Sequence, residues 1–285
     1  MNQTVTLADR KPVVLRPATR WSAFNLEEVL HYSDLLTMFA LRDVKLRYRQ
    51  TALGVIWVVF QPLLAAAIFL IIFNKVAQTP TDDISPFVFY YAGLMAYKSF
   101  ENTVNKASMC MIGNAQLVAK VFFPRIILPV STVLGSLLDF AVSAVVLAVL
   151  MLVFRVPPSP FLLLLPVWLL FLQLTALGLG FYFAALTVRY RDIQYALPVL
   201  VQFGLYATPV GFSVAFLLGK LPKALHFLVF LNPLTGLLDA FRWSVLGTPI
   251  YSWPIVIYGI LASVALFVLG AMAFTQMEQS FADVI

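Results

Sequence analysis

The sequence predicts an all-α polytopic membrane protein, and three observations carry that prediction. Of 285 residues, 61% are hydrophobic and only 11% charged, with a mean hydropathy of +0.91. A soluble domain carries roughly 25% charged residues. Apolar runs of about 20 residues, the length that crosses a hydrocarbon core, recur along the chain. Cations gather at the edges of these runs: Arg42, Lys45, Arg47 and Arg49 stand directly before the first one. Cations enter hydrocarbon at high cost and an apolar run stays in water at high cost, so this junction belongs at a membrane surface.

The elements follow in order. Residues 1–52 are expected to form an N-terminal region that is cytoplasmic or interfacial. No apolar stretch follows Met1 closely, so no cleavable signal is expected. Asn25 followed by Glu28 has the spacing of a capping box. Ser33-Asp34 then suits the start of a second helix. From there Leu35, Phe39 and Leu46 recur at i, i+4, i+11, and Arg42, Lys45 and Arg49 at i, i+3, i+7. Such a helix lies in the membrane interface, with its apolar face toward acyl chains and its cations toward headgroups. The same pattern also suits a solvated helix.

Residues 53–285 are expected to form a six-span transmembrane domain, with spans at 53–73, 86–104, 126–154, 161–188, 195–218 and 254–274. Pro62 falls inside the first span and is expected to kink it. Trp57, Phe60, Gln61 and Leu64 fall at i, i+3, i+4, i+7, which is one helix face. Rings with an amide on one face suit a sliding sugar chain, whose C–H faces stack on aromatics. Ordinary helix packing explains the same face equally well. Tyr90, Tyr97, Phe203 and Tyr206 are further aromatics within spans. Gly178 and Gly180 are expected to allow close helix contact in the fourth span.

Between the last two spans, 221–231 and 233–246 are apolar but too short to cross, and Asn232-Pro233 separates them. Two half-helices that dip in and return, a re-entrant pair over about 219–250, are the expected form. The loop between the second and third spans carries a candidate short helix over about 113–122. Asn114 is its expected cap, and Leu117, Val118 and Val121 form its expected apolar knob.

Charge sets the expected orientation. With the N-terminus inside, inner segments hold 13 of the 19 Lys and Arg residues and outer segments hold 5. That agrees with the positive-inside rule and leaves both termini cytoplasmic.

Several chemistries find no footing. No G-x-x-x-x-G-K-[ST] phosphate loop occurs; the nearest approach, Gly93 to Ser99, has Tyr97 in the second glycine's place. Two histidines and one cysteine, far apart, give no metal-ligand cluster, and Cys110 alone makes no disulfide. The net charge of +6 sits beside apolar runs, which points to lipid headgroups and away from nucleic acid. Lys98, Glu101 and Asp139 lie within spans. Lys98 and Glu101 are three apart and suit a pair; a proton relay or ion site is the alternative.

Four segments together resemble one family. These are Arg42-Asp-Val-Lys-Leu-Arg-Tyr-Arg with Trp57 and Gln61-Pro62; Gly113-Asn-Ala-Gln-Leu-Val-Ala-Lys120 through Pro124-Arg125 to Pro129; Val188-Arg-Tyr-Arg-Asp192 with Thr208-Pro-Val210; and Leu231-Asn-Pro-Leu-Thr-Gly236 with Phe241-Arg-Trp243. In order over about residues 35–250, they are similar to the type-2 permease subunits of ABC transporters that export polysaccharides such as O-antigen, capsule and teichoic acid. The resemblance implies a homodimer in a bacterial inner membrane, paired with two copies of a separate ATPase that bind the ATP and Mg. The chain itself would carry no cofactor and no catalytic site. The substrate implied is a lipid-linked glycan, drawn from membrane lipid; a drug or small lipid, or an ion-coupled carrier, are the alternatives.

The resemblance also implies roles for particular residues. Trp57, Phe60, Gln61, Tyr90, Tyr97, Phe203 and Tyr206 would line the channel. Arg42, Lys45, Arg47 and Arg49 would meet the anionic headgroup at the entrance. Asn114, Leu117, Val118, Lys120 and Val121 would couple to the ATPase. Asn232, Pro233 and Arg242 would belong to a gate.

Overall fold

A computed structural model describes residues 32–49, 55–81, 84–121 and 123–278. Every regular element among them is helical. In chain order these are α1 (Ser33–Arg49), α2 (Val55–Phe69), α3 (Pro86–Gly113), α4 (Ala115–Lys120), α5 (Ile127–Val153), α6 (Leu165–Arg189), α7 (Ile193–Ala207), α8 (Val214–Lys220), α9 (His226–Leu231), α10 (Pro233–Leu246) and α11 (Trp253–Glu278).

α3 is the centre of the bundle. It packs along α6 and α5, α6 packs in turn along α11, and α10 lies against α11. α1 crosses α5 near the end where α4 sits, and Phe39 meets Phe123 there at 5.8 Å between ring centroids. The expected helical start at Ser33 is observed. Residues 1–31, which include the Asn25–Glu28 pair, lie outside the described residues.

Glycine permits the closest crossing. A Cβ on Gly178 of α6 would stand 2.5 Å from the Leu266 carbonyl of α11, and one on Gly270 would overlap the Gly178 backbone. Close backbone approach replaces the hydrophobic effect as the driving force between helices in lipid. Gly180 likewise faces Ala107 of α3, as expected of the small positions in that span.

The expected six continuous spans are not all present. Among the described residues, four helices are long and apolar enough to cross: Ile56–Val76, Ile127–Val153, Leu162–Arg189 and Trp253–Glu278. The pair Lys223–Leu231 and Pro233–Leu246, bent by 75°, makes at most a fifth. α3 has the length, at 28 residues, but is more polar because other helices shield much of it. The predicted span 195–218 is broken. α7 stops at Ala207, and Thr208 is extended (φ −112°, ψ 143°) because Pro209 disfavours helix just before it. Helix resumes only at Val214, where the Ser213 hydroxyl caps the Phe216 amide.

Two local expectations also change. α2 runs on through Pro62, and the irregularity comes eight residues later as a π-helical turn over Leu70–Val76. The segment 105–125, read as an inner loop, is helix as far as Gly113.

Candidate functional site

An open apolar face runs along α2. Trp57 and Phe60 are 47% and 48% exposed, with ring centroids 5.8 Å apart in an edge-to-face arrangement. Gln61, Leu64 and Ile68 continue the exposed surface. α7 presents a second such face through Tyr195, Val199, Leu200, Phe203 and Tyr206, while Leu197 and Val201 turn inward. Trp57, Phe60, Gln61, Phe203 and Tyr206 are therefore all exposed on the outside of the chain.

Tyr90 and Tyr97 are not, and the expectation that they line a channel is corrected. Both are fully buried on α3. Tyr97 donates its hydroxyl to the Val201 carbonyl at 2.6 Å, tying α7 to α3. Tyr90 sits among the rings of Phe69, Phe73 and Phe89, with its hydroxyl 3.3 Å from that of Thr79. A phenol in apolar surroundings finds a polar partner within the protein, and here each has one.

The break at 208–213 is held by a polar clasp. Asn232 accepts from the Leu234 amide and donates to the Thr208 hydroxyl, both at 3.0 Å. It thus caps α10 and grips the end of α7 at once. Arg242, fully buried on α10, donates to the carbonyls of Pro209 and Phe212, and its guanidinium lies 4.4 Å from the Phe89 ring centroid. Non-helical backbone at membrane depth is tolerated only where protein satisfies it, and Arg242 does so here. The Val210 carbonyl fits because Gly93 has no side chain; a Cβ there would lie 2.9 Å from that oxygen. The Asn232-Pro233 joint was legible from sequence. The bond from Arg242 across 33 positions was not, because nothing local signals it.

At the α4 end, Asn114 does not cap α4 with its side chain. Its amide donates to the Cys110 carbonyl at 2.8 Å and so closes α3, while its own carbonyl accepts from Leu117 and Val118. The expected knob is also corrected. Val118 is buried and Leu117 half-buried against the cluster formed by Phe39, Phe123 and Ile127. The face turned outward consists of Gln116, Ala119, Lys120 and Val121. Arg125 fixes the loop behind α4, donating to the Glu278 carbonyl at 2.9 Å at the end of α11.

On α1, Lys45 is exposed, and Arg42 pairs with Asp43 at 2.8 Å and lies over Phe39. The side chains of Arg47 and Arg49 lie outside the described residues. Lys98 and Glu101 pair at 3.0 Å as expected, and Asp139 meets Lys106 at 3.4 Å. Lys106 falls between the spans that the sequence suggests, yet it lies on α3, and no local spacing signals its partner.

The model of one family, described as ABC-2 type transporter, matches residues 35–246. The chain belongs to that family. An ABC-2 chain is an integral membrane subunit for transport, not itself a catalyst, and membership implies an ATPase partner. Two curated relatives carry the name O-antigen export system permease protein RfbA. The protein from Klebsiella pneumoniae is 26% identical over 260 residues, covering 88% of this chain and 95% of the relative. The one from Myxococcus xanthus is 29% identical over 218 residues, covering 76% and 82%. The polysialic acid transport protein KpsM of Escherichia coli is 26% identical over 216 residues, covering 72% and 79%.

Proposed function

We propose that this chain is the permease half of an ABC exporter that moves a lipid-linked polysaccharide out across a bacterial inner membrane. Two copies of it would pair with two ATPase subunits, which bind the ATP and Mg. Both termini would face the cytoplasm, in keeping with the 13 to 5 division of cations.

The observation that carries this reading is the exposed ring-and-amide face of α2, on a chain similar over most of its length to glycan exporters. Trp57, Phe60 and Gln61, with Phe203 and Tyr206 of α7, would line a channel between the two copies. Rings stack on pyranose C–H faces without gripping them, and an amide trades hydrogen bonds as the chain slides. Arg42, Lys45, Arg47 and Arg49 would meet a pyrophosphate headgroup at the entrance, where α1 would lie in the interface. The outward face of α4, Lys120 and Val121 above all, would seat in the ATPase. α9 and α10 would form the gate, with Asn232, Pro233 and Arg242 holding its joint. An ion-coupled carrier gains little support, since Lys98, Glu101 and Asp139 each sit in an ion pair.

The test is to purify the chain with its ATPase, reconstitute both in vesicles and follow a lipid-linked glycan. Movement that requires ATP supports the reading; movement without ATP, or none, rejects it.

A further inference from the structure

A cleft lies between α2, α3 and α5. Six polar side chains converge on it: Gln61 of α2, Lys98, Ser99 and Asn102 of α3, and Asp139 and Ser143 of α5. Lys98 is twelve residues from the start of α3 and Asp139 twelve from the start of α5, which puts both about 18 Å along their helices at 1.5 Å per residue. Both therefore lie near the middle of helices of 28 and 27 residues, and charged groups so placed in a membrane-embedded bundle are expensive and mark pathways.

The walls of the cleft are set. Ser99 accepts from the Gln173 amide at 2.7 Å, Ser143 donates to the Asp139 carbonyl at 3.0 Å, and Tyr91 donates to the Ser143 carbonyl at 3.2 Å. Two members differ. The side-chain amides of Gln61 and Asn102 make no hydrogen bond to any described residue, although both line the cleft. Gln61 is exposed and Asn102 half-buried, so both amides stand open to a group that enters the cleft. The charges indicate its class. Lys98 lies 3.0 Å from Glu101 and Lys106 lies 3.4 Å from Asp139, so the four sum to zero and no net charge attracts an ion. What remains is a neutral, mixed set of donors and acceptors backed by the apolar Met95 and Phe140.

We propose that this cleft is an intramembrane subsite for the neutral hydroxyl groups of the moving glycan, with Gln61 and Asn102 as the groups that read them. The inference rests on the export function proposed above. It extends the channel wall from α2 to α3 and α5, and adds a hydrogen-bonding station to the stacking surface. Hydroxyls that reach it exchange water for fixed amides. The channel would then pass a polyhydroxylated chain more readily than an apolar one of equal width.

The test uses the complete transporter with its ATPase, reconstituted in vesicles. Asn102→Cys is labelled with a small uncharged maleimide, the native Cys110 being buried. Labelling is measured at rest and with vanadate stalling a glycan in transit. The expected result is at least a tenfold loss of labelling in the stalled state. In parallel, Gln61→Leu and Asn102→Leu should each slow export of a neutral glycan severalfold per assembled complex, and Asn102→Gln should recover most of it. Equal labelling at rest and when stalled means that the cleft holds water only, and overturns the subsite while leaving the export function standing. A wild-type complex that moves no glycan overturns both.

Discussion

α2 and α3 are neighbours, and they have opposite characters. α2 is the more apolar helix and yet the more exposed, with Ile56, Trp57, Phe60, Leu64 and Ile68 open along its length. α3 is the more polar, and it is the buried one: Tyr90, Tyr91, Tyr97, Ser99 and Thr103 are all enclosed. A soluble protein shows the reverse. In a bilayer the outside is as apolar as the inside, so burial is sorted by hydrogen bonding and close fit. Gln173 shows how this works, accepting from Thr103 and donating to Ser99, both at 2.7 Å, and so stitching α6 to α3. Among the described residues nothing comparable fastens the exposed face of α2.

Substitutions can sharpen or break that contrast. The largest loss should come from Gly178→Leu, which forces a side chain into the α11 backbone; no folded protein is expected in detergent, read by size-exclusion chromatography. Arg242→Met should follow. It strips charge-assisted bonds from the buried carbonyls of Pro209 and Phe212 and should cost about 3 kcal/mol, seen as a marked fall in thermal stability. Gln173→Leu removes two hydrogen bonds between helices and should cost about 1 kcal/mol on the same assay. Trp57→Ala and Phe203→Ala should change stability least, by within roughly 0.5 kcal/mol. They should instead slow export of a long glycan. If they destabilise the protein as much as Gln173→Leu does, the exposed face is packing and the contrast between the helices fails. Val121→Asp should leave the fold unchanged and lower transport-coupled ATP hydrolysis, since Val121 is 51% exposed at the tip of α4. Val118→Asp, by contrast, should damage the fold, because Val118 is buried.

The fold class was legible in the sequence because composition alone decides which solvent a chain can tolerate. The helical ends at Pro86 and Asn232-Pro233 were legible for a local reason, since proline acts on its immediate neighbours. The break after Ala207 had the same signal in Pro209, but Pro198 sits within α7 without ending it, so proline alone did not mark which of the two would break the helix. The Lys98–Glu101 pair followed from a spacing of three. The Lys106–Asp139 pair, 33 positions apart, had no such spacing to announce it.

By itself, the sequence determined that the chain is helical and membrane-embedded, where most of its helices begin, and which family motifs it carries. These depend on transfer energy and short-range backbone sterics, both written residue by residue. The tertiary structure decided which aromatics are exposed and which are core. Trp57 and Tyr97 look alike as aromatics in apolar runs, yet one is half exposed and the other is fully enclosed and bonded to Val201. The difference lies in what a helix packs against, and in a membrane hydrophobicity does not encode that, because lipid and protein interior are equally apolar.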